Sequence, residues 1–545
     1  MVPSMTAALG AVLLLWVLLF GLLIVEPERP TRSEPRVWTP KPWGRWATVG
    51  LVLALCGLLL SRIAWAGLIN VDDWLFMGIG RWVATHPGDL GVLLTEYTLP
   101  TEPVVRVLPL LWYGLDHWWI GDQVLLWRLT TLAAHGGVAF LVYQLGKDLL
   151  GRTGPALAAA LMFAFHPAHA EVFAWLSSAR ESILAAALIL GAIRCHIRNR
   201  PLSTALLAAL ALLCREHALA LVVLLPLVDW LKERRVHWRR AIPFAAVVLL
   251  FVLWRFSLHE PSNSVQSSYF DDFFGASLVN NLSRVLLELP ALVAVPVIPG
   301  VWPYAVFWAG LICVGLGALL WRGGRPDSRT QLLPWTLFAS VWLLASIGPT
   351  LAQLQFPEGL EPGVRLPEWH LRNLYLAVIG PCWAFGWLLG RTPRAWEWWG
   401  TRLAVVVCAL GLYWNLAPYA ELGARVSAAE EALDSQSFAE GVAVRFREPQ
   451  DPVVSLLLYR SQLNPEAAGL PVLVGEPRCG CVQEAIKRDP ASVETPREVA
   501  RQILRPLSQE PAETGSACGC ERWRPDARYY SFDGSRFLPD APLGP

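Results

Sequence analysis

The sequence predicts an all-α polytopic membrane protein of about twelve transmembrane helices, followed by a small C-terminal α/β extramembrane appendage. Three observations carry that expectation. Of 545 residues, 54% are hydrophobic and only 16% charged, with 28 tryptophans, a composition that ordinary soluble globules do not have. Long apolar runs recur from Thr6 to Tyr419, and the loops between them alternate between basic and mixed-charge clusters. From about Ala420 the chain turns polar.

The first run, Thr6–Val25, has no basic stretch before it and no small-residue cleavage site after it, so it reads as a retained anchor. The Pro-rich segment that follows carries Arg29, Arg32, Arg36, Lys41 and Arg45, and a short basic loop beside a span favours the cytoplasm. Runs of spanning character follow at Trp46–Leu68, Gln123–Gly146, Pro155–Phe165, Ser182–Ile193, Leu202–Leu213, Ala218–Trp230 and Ala241–Phe256. Four more lie at Trp302–Trp321, Leu332–Pro349, Leu374–Leu389 and Leu403–Tyr419. Several fall short of the ~20 residues a span needs, so their ends must take in polar flanks. Leu286–Val297, apolar but interrupted by Pro290 and Pro296, reads as a re-entrant or surface segment.

Every loop placed inside by this alternation is basic: Lys147/Arg152, Arg198/Arg200, Lys232 through Arg240, Arg322/Arg325/Arg329 and Arg391/Arg394/Arg402. On the other face fall Asp72-Asp73, His166 through Glu181, Arg215-Glu216-His217, Asp271-Asp272 and Arg365 through Arg372. A net charge of +1 with no basic stripe excludes a nucleic-acid partner. In the tail, Asp533-Gly534 reads as a hairpin turn within YYSFDGSRF. Cys479, Cys481, Cys518 and Cys520 are disulfide candidates, because their C-x-C spacing departs from the usual zinc pattern and even span parity puts the tail outside the cytoplasm.

The outward-facing stretch FHPAHAEVFAW, with Arg180-Glu181 behind it, is the strongest candidate for chemistry, since ionisable groups at a membrane boundary are costly to keep. His166-Pro167 ends a helix, because the residue before proline disfavours the α region. His166, His169 and Glu171 have the residue types to ligate a divalent cation or hold a phosphate, or the histidines simply hydrogen-bond backbone at the kink. Arg180-Glu181 also fits a surface salt bridge. Asp72-Asp73 suits either the N-cap of an interfacial helix running through Trp82 or a general base. Arg215-Glu216-His217 interrupts an apolar stretch too long for one span, and three ionisable residues in so tight a tip must pair or line a wet cavity.

These residues together resemble a known family. DDW in the first outer loop, FHPAHAEVFAWLSSARESILA, CREHALALVVLLPLVDW and RNLYL at Arg372–Leu376 are similar to the bacterial relatives of the multi-spanning O-mannosyltransferases that in animals carry tetratricopeptide tails, members of the C-type (GT-C) glycosyltransferases. The resemblance spans roughly Asp72 to Leu389. It implies a GT-C-like catalytic domain within residues 46–419, which the hydropathy and charge pattern sets between an anchor and cytoplasmic linker at 1–45 and an extracytoplasmic cysteine-containing tail at 420–545. It implies a hexosyltransferase that moves a sugar from a polyprenyl-phosphate donor to a protein or glycan acceptor on the extracytoplasmic face of a bacterial inner membrane, the face on which the basic-loop alternation and even span parity also place both termini. Asp72, Asp73 and Glu171 are then the catalytic carboxylates, and His166, His169, Arg180, Glu181, Arg215, Glu216, His217 and Arg372 bind the donor. A divalent cation is an open requirement, with His166, His169 and Glu171 as its ligands. The extra anchor at Thr6–Val25 and the cysteine-bearing tail without a tetratricopeptide period depart from the family pattern. A transporter or flippase of lipid-linked sugars would instead show midplane ionisable residues and a repeat between halves, neither of which is evident. A non-catalytic membrane scaffold presenting the tail leaves the outer-face charges unexplained.

Overall fold

The computed structural model describes residues 54–59, 61–63, 71–95, 106–121, 123–257, 326–348 and 371–435, and short strands between 443 and 539. The Thr6–Val25 anchor, the Leu286–Val297 and Trp302–Trp321 segments, Asp271-Asp272 and the four tail cysteines lie outside the described residues.

Helices α1 (Val71–Thr85), α2 (Val92–Thr95) and α3 (Val107–Ile120) come first. Then come α4 (Val124–Leu150), α5 (Thr153–Ala164), α6 (Ala170–Ala174), α7 (Leu176–Ile197), α8 (Pro201–Leu212), α9 (Leu221–Glu233) and α10 (Trp238–Ser257). After the undescribed stretch follow α11 (Pro326–Ile347), α12 (Ile379–Leu389), α13 (Arg394–Asn415) and α14 (Ala417–Ser435). The expected runs at Gln123–Gly146, Pro155–Phe165, Ser182–Ile193, Leu202–Leu213, Ala218–Trp230, Ala241–Phe256, Leu332–Pro349 and Leu374–Leu389 coincide mainly with α4, α5, α7, α8, α9, α10, α11 and α12, and Leu403–Tyr419 runs from α13 into α14, but the count of about twelve spans is not reached among the described residues. Val124–Leu150, Leu176–Ile197 and the continuous stretch Trp396–Ala428 are long and apolar enough to cross a membrane, and a fourth crossing arises if the pair bent by 41° at Phe165-His166 is one span. That bend sits where the sequence places it, with His166 in extended backbone ahead of Pro167.

Packing neighbours run α7, α4, α5, α12, α11, α9 and back to α7, a closed ring with α8 and α10 outside it. Small residues allow the close approaches: a methyl at Gly386 of α12 would collide with the Pro155 carbonyl of α5. Two buried indoles tie the ring together by donating to main-chain carbonyls of neighbouring elements, Trp342 to Leu376 and Trp383 to Val142, both at 3.0 Å. Leu249, Leu250, Leu253, Leu333 and Leu403 are exposed on the outward faces, as suits helices whose solvent is lipid.

Helix α3 was not legible as an element, since fourteen residues broken by Asp116 and His117 make no span. It packs on α1 through a second core, in which Phe76, Ile79 and Val83 share one helix face against Leu110, Tyr113 and Trp127. The expected helix through Trp82 is α1.

The ends remote from this second core are tied together by charge. Arg194 of α7 pairs with Asp148 of α4 at 3.4 Å, and His196 with Asp229 of α9 at 3.0 Å. Arg152, at the N-cap of α5, donates to the Gly390 carbonyl and to Glu397 of α13. The basic loops after α4, α7, α9 and α12 therefore gather at one end of the bundle. In the tail, β1 (Ala443–Val444), β4 (Tyr529–Phe532) and β5 (Phe537–Pro539) form one sheet, and β2 (Leu473–Gly475) pairs antiparallel with β3 (Val482–Glu484). β4 and β5 are antiparallel with Phe532 opposite Phe537, the two arms of the expected hairpin.

Candidate functional site

The candidate site is assembled around the start of α7. Trp175 occupies the N-cap position with extended backbone, and its side chain caps nothing, so the first-turn N–H groups need acceptors from elsewhere. Asp73 supplies one from α1, its Oδ1 accepting the Ser177 N–H at 2.8 Å. A carboxylate there also answers the positive end of the helix dipole. Asp73 is thus a capping residue, but of a helix about one hundred residues away rather than of its own, and it is fully buried. The Asp72 side chain lies outside the described residues, although its backbone is in the first turn of α1.

Behind this cap, Arg180 is enclosed completely. Its Nε donates to Asp116 Oδ2 at 3.0 Å and its Nη2 to the same oxygen. The guanidinium also lies 4.8 Å from the ring centres of both Tyr113 and Trp127. The expectation that Arg180 and Glu181 form a surface salt bridge is corrected here, because each has a different buried partner. Arg128 of α4 donates to the carbonyls of Phe173 and Ala174 at 3.0 and 3.1 Å, which satisfies the end of α6 where the chain breaks before α7.

A second group lies beside Glu181. Arg106 donates to Glu216 Oε1 at 2.8 Å and its Nε is 3.1 Å from Glu181 Oε2. Burial raises the Glu216 carboxyl, and the charge and hydrogen bond of Arg106 more than reverse this, holding it down to about 2. Arg215 is buried and donates to Ser182 Oγ at 2.5 Å and to Asn373 Oδ1 at 2.7 Å, two neutral oxygens. Burial pushes its guanidinium down to about 10. Burial likewise keeps His217 well below the ordinary imidazole value, so it is neutral near pH 7. The Arg372 N–H donates to Glu171 Oε2 at 3.2 Å, its Nε is 3.6 Å from Glu171 Oε1, and its guanidinium lies 5.0 Å over the Trp175 ring.

The histidines lie near one another, the His166 and His169 ring centroids 5.8 Å apart, but differ in their partners. His166 Nδ1 accepts the Ala168 N–H at 3.2 Å and caps the 3-10 turn Pro167–His169. His169 is buried among the rings of Phe163, Tyr375 and His135, with centroids 4.7, 4.7 and 5.2 Å away. His135 Nε2 donates to the Ala164 carbonyl at 3.1 Å, which leaves Nδ1 to accept from the Tyr375 hydroxyl at 2.6 Å. The ligand set His166, His169 and Glu171 is therefore corrected: Glu171 is turned to Arg372, and among the described residues no group of three or more His, Cys, Asp or Glu converges to hold a metal.

Of the expected residues, Glu171, Glu181, Arg215, Glu216 and Arg372 gather around α7, the 3-10 turn Leu371–Leu374 and the 3-10 turn Glu216–Ala220. Sequence reasoning missed Arg106, Asp116, Arg128, His135 and Asn373. Arg128 and His135 did carry a signal, as ionisable residues inside an otherwise apolar run.

No protein-family model matches the chain, and no curated protein matches it. Among solved structures, ArnT from Cupriavidus metallidurans bound to undecaprenyl phosphate aligns with a TM-score of 0.42 at 15% identity, covering 79% of this chain and 86% of that one. The apo state of the same protein aligns with a TM-score of 0.43, at the same identity and coverage. A likeness of this size transfers neither fold nor activity.

Proposed function

We propose that the chain is a membrane glycosyltransferase that moves a sugar from a polyprenyl-phosphate carrier to an acceptor hydroxyl, on a protein or an envelope glycan, at the extracytoplasmic face. The observation that carries this reading is Arg215, a buried guanidinium held, among the described residues, by the neutral oxygens of Ser182 and Asn373, beside Arg106 and Arg372, which contact glutamates. A planar fork with no carboxylate on it suits a phosphate oxygen pair. It lies among the motif residues on which the family resemblance rests.

In this reading the acceptor oxygen bonds to the anomeric carbon, its proton passes to a carboxylate, and the bond from that carbon to the phosphate oxygen breaks, its electron pair leaving with the lipid phosphate. Attack from the face opposite the leaving group inverts the anomeric centre, by analogy with inverting hydrolysis. Asp73 is committed to the Ser177 N–H, which favours Asp72 as the base, and Arg215 with Arg372 stabilises the departing phosphate. Glu171, Glu181 and Glu216 hold the arginines in place. The tail cysteines are disulfide-bonded in the same scheme.

Membranes containing the full-length protein are incubated with a panel of radiolabelled polyprenyl-phosphate sugars and acceptor fractions. The expected result is transfer of label from at least one donor, lost in Arg215→Gln. Absence of transfer from the whole panel, with properly inserted protein, overturns the proposal.

A further inference from the structure

Two glutamates and two arginines meet where α7 faces the 3-10 turn Glu216–Ala220, and their pairing is uneven. Arg106 takes both carboxylates, with Glu216 Oε1 2.8 Å from its Nη1 and Glu181 Oε2 3.1 Å from its Nε. Arg215 meets neither. Yet Glu216 is its neighbour in the chain, and Glu181 is the neighbour of its partner Ser182. Both glutamates stand within electrostatic range of Arg215. An even split, one carboxylate to each guanidinium, would give both arginines charge-assisted bonds, which are about twice as strong as bonds between neutral groups. The arrangement instead buries Arg215 on the neutral oxygens of Ser182 and Asn373, a costly state for a charge. A cost of this kind is characteristic of functional sites.

The backbone explains how Arg106 comes to stand between the two glutamates. It is the N-cap residue of α3 but makes no side-chain cap bond. Two residues further on, the Leu108 N–H donates to the Leu213 carbonyl at 3.3 Å, which ties the start of α3 to the chain just ahead of Arg215. The planar guanidinium presents Nε to one carboxylate and Nη1 to the other, a fork that the point charge of a lysine does not match. Arg215 in turn is oriented by its two hydrogen bonds without being neutralised by them.

We propose that donor affinity depends on Arg215 carrying no carboxylate, and that Arg106 is the positioning residue that secures this by holding Glu181 and Glu216 together. The assignment rests on the glycosyltransferase reading, in which Arg215 meets the lipid phosphate, and adds to it a residue that acts on that phosphate through another.

Full-length protein in nanodiscs is titrated with bare polyprenyl phosphate, and each variant's melting midpoint is read beside its affinity. Arg106→Gln releases both glutamates, and the expected result is about tenfold weaker binding. Adding Glu181→Gln and Glu216→Gln to it should return most of that affinity, because no carboxylate is then left to reach Arg215. Asn373→Asp puts a carboxylate on Arg215 directly. The Asn373 Nδ2 has no hydrogen-bond partner among the described residues, so the exchange gives up no bond there. Its affinity should again fall about tenfold, while the midpoint holds or rises, a combination that a merely structural role for these residues would not produce. If Arg106→Gln fails to fold, as judged by chromatography, Asn373→Asp alone decides. An Asn373→Asp affinity equal to that of wild type, or a loss in Arg106→Gln that the two glutamine substitutions leave in place, overturns the proposal and leaves the enzyme reading intact. Wild-type protein that binds no polyprenyl phosphate overturns both.

Discussion

Replacing Asp73 by Asn keeps a side-chain oxygen for the Ser177 N–H, whereas Ala leaves that N–H buried without an acceptor. Asp73→Ala should therefore lower stability by about 1 kcal/mol or more, and Asp73→Asn by less, as loss of an N-cap does. Asp72→Asn, if Asp72 is the base, should leave the melting midpoint in place and cut transfer by on the order of 10²–10⁴. Thermal melts in detergent, read beside transfer rates, separate the two roles. A transfer rate untouched in Asp72→Asn would move the base to Glu171. At Glu216 the observable is pH. A carboxylate held at about 2, below its ordinary 4.5, contributes stability that is complete above the unfolded value and is lost as pH falls through the folded one. The wild-type midpoint should thus fall more steeply than that of Glu216→Gln between about pH 4.5 and 2. Parallel curves would show that the Arg106 pair adds nothing.

Helices α3, α4 and α7 meet at the Asp116–Arg180 pair, sealed by Tyr113 and Trp127. Removing one member of such a pair strands a buried charge, so Asp116→Ala should cost roughly 3–5 kcal/mol, while Asp116→Leu combined with Arg180→Met should recover most of it. Urea titrations of the single and double variants measure the coupling, and additive losses would mean the two charges do not depend on each other. This junction also shows what could be read beforehand. Helix starts and the kink at Pro167 follow from local rules, proline chemistry and hydropathy, and they were legible. The partner of Arg180 was not, because Asp116 lies 64 residues away on a helix too short to register as a span. Asp72-Asp73 was read as a unit with capping among its roles, and Asp73 does cap; that its target is α7 depends on how α1 and α3 pack, which no local pattern encodes. Long-range pairing likewise hides Arg215–Asn373, 158 residues apart.

At the scale of the whole chain, α7 is the ruler. Its 22 residues extend ~33 Å at ~1.5 Å per residue, close to the ~30 Å of a bilayer's hydrocarbon core. The Asp73 cap and Arg180 stand at one end and the Arg194–Asp148 and His196–Asp229 pairs at the other. The second end collects the basic loops, and such loops remain in the cytoplasm, so the end bearing Glu171, Arg215 and Arg372 should face outward. Two exposed positions test this: Asp89, in the turn after α1, and Arg198, just past α7. Leu94, in α2 beyond that turn, accepts from Trp254 near the end of α10 remote from Arg239 and Arg240, which puts Asp89 with the site. In a background without native cysteines, Asp89→Cys should react with a membrane-impermeant maleimide on intact cells, and Arg198→Cys only after the membrane is opened. The reverse pattern would turn the molecule over, placing the candidate site in the cytoplasm and requiring a donor presented on the inner leaflet.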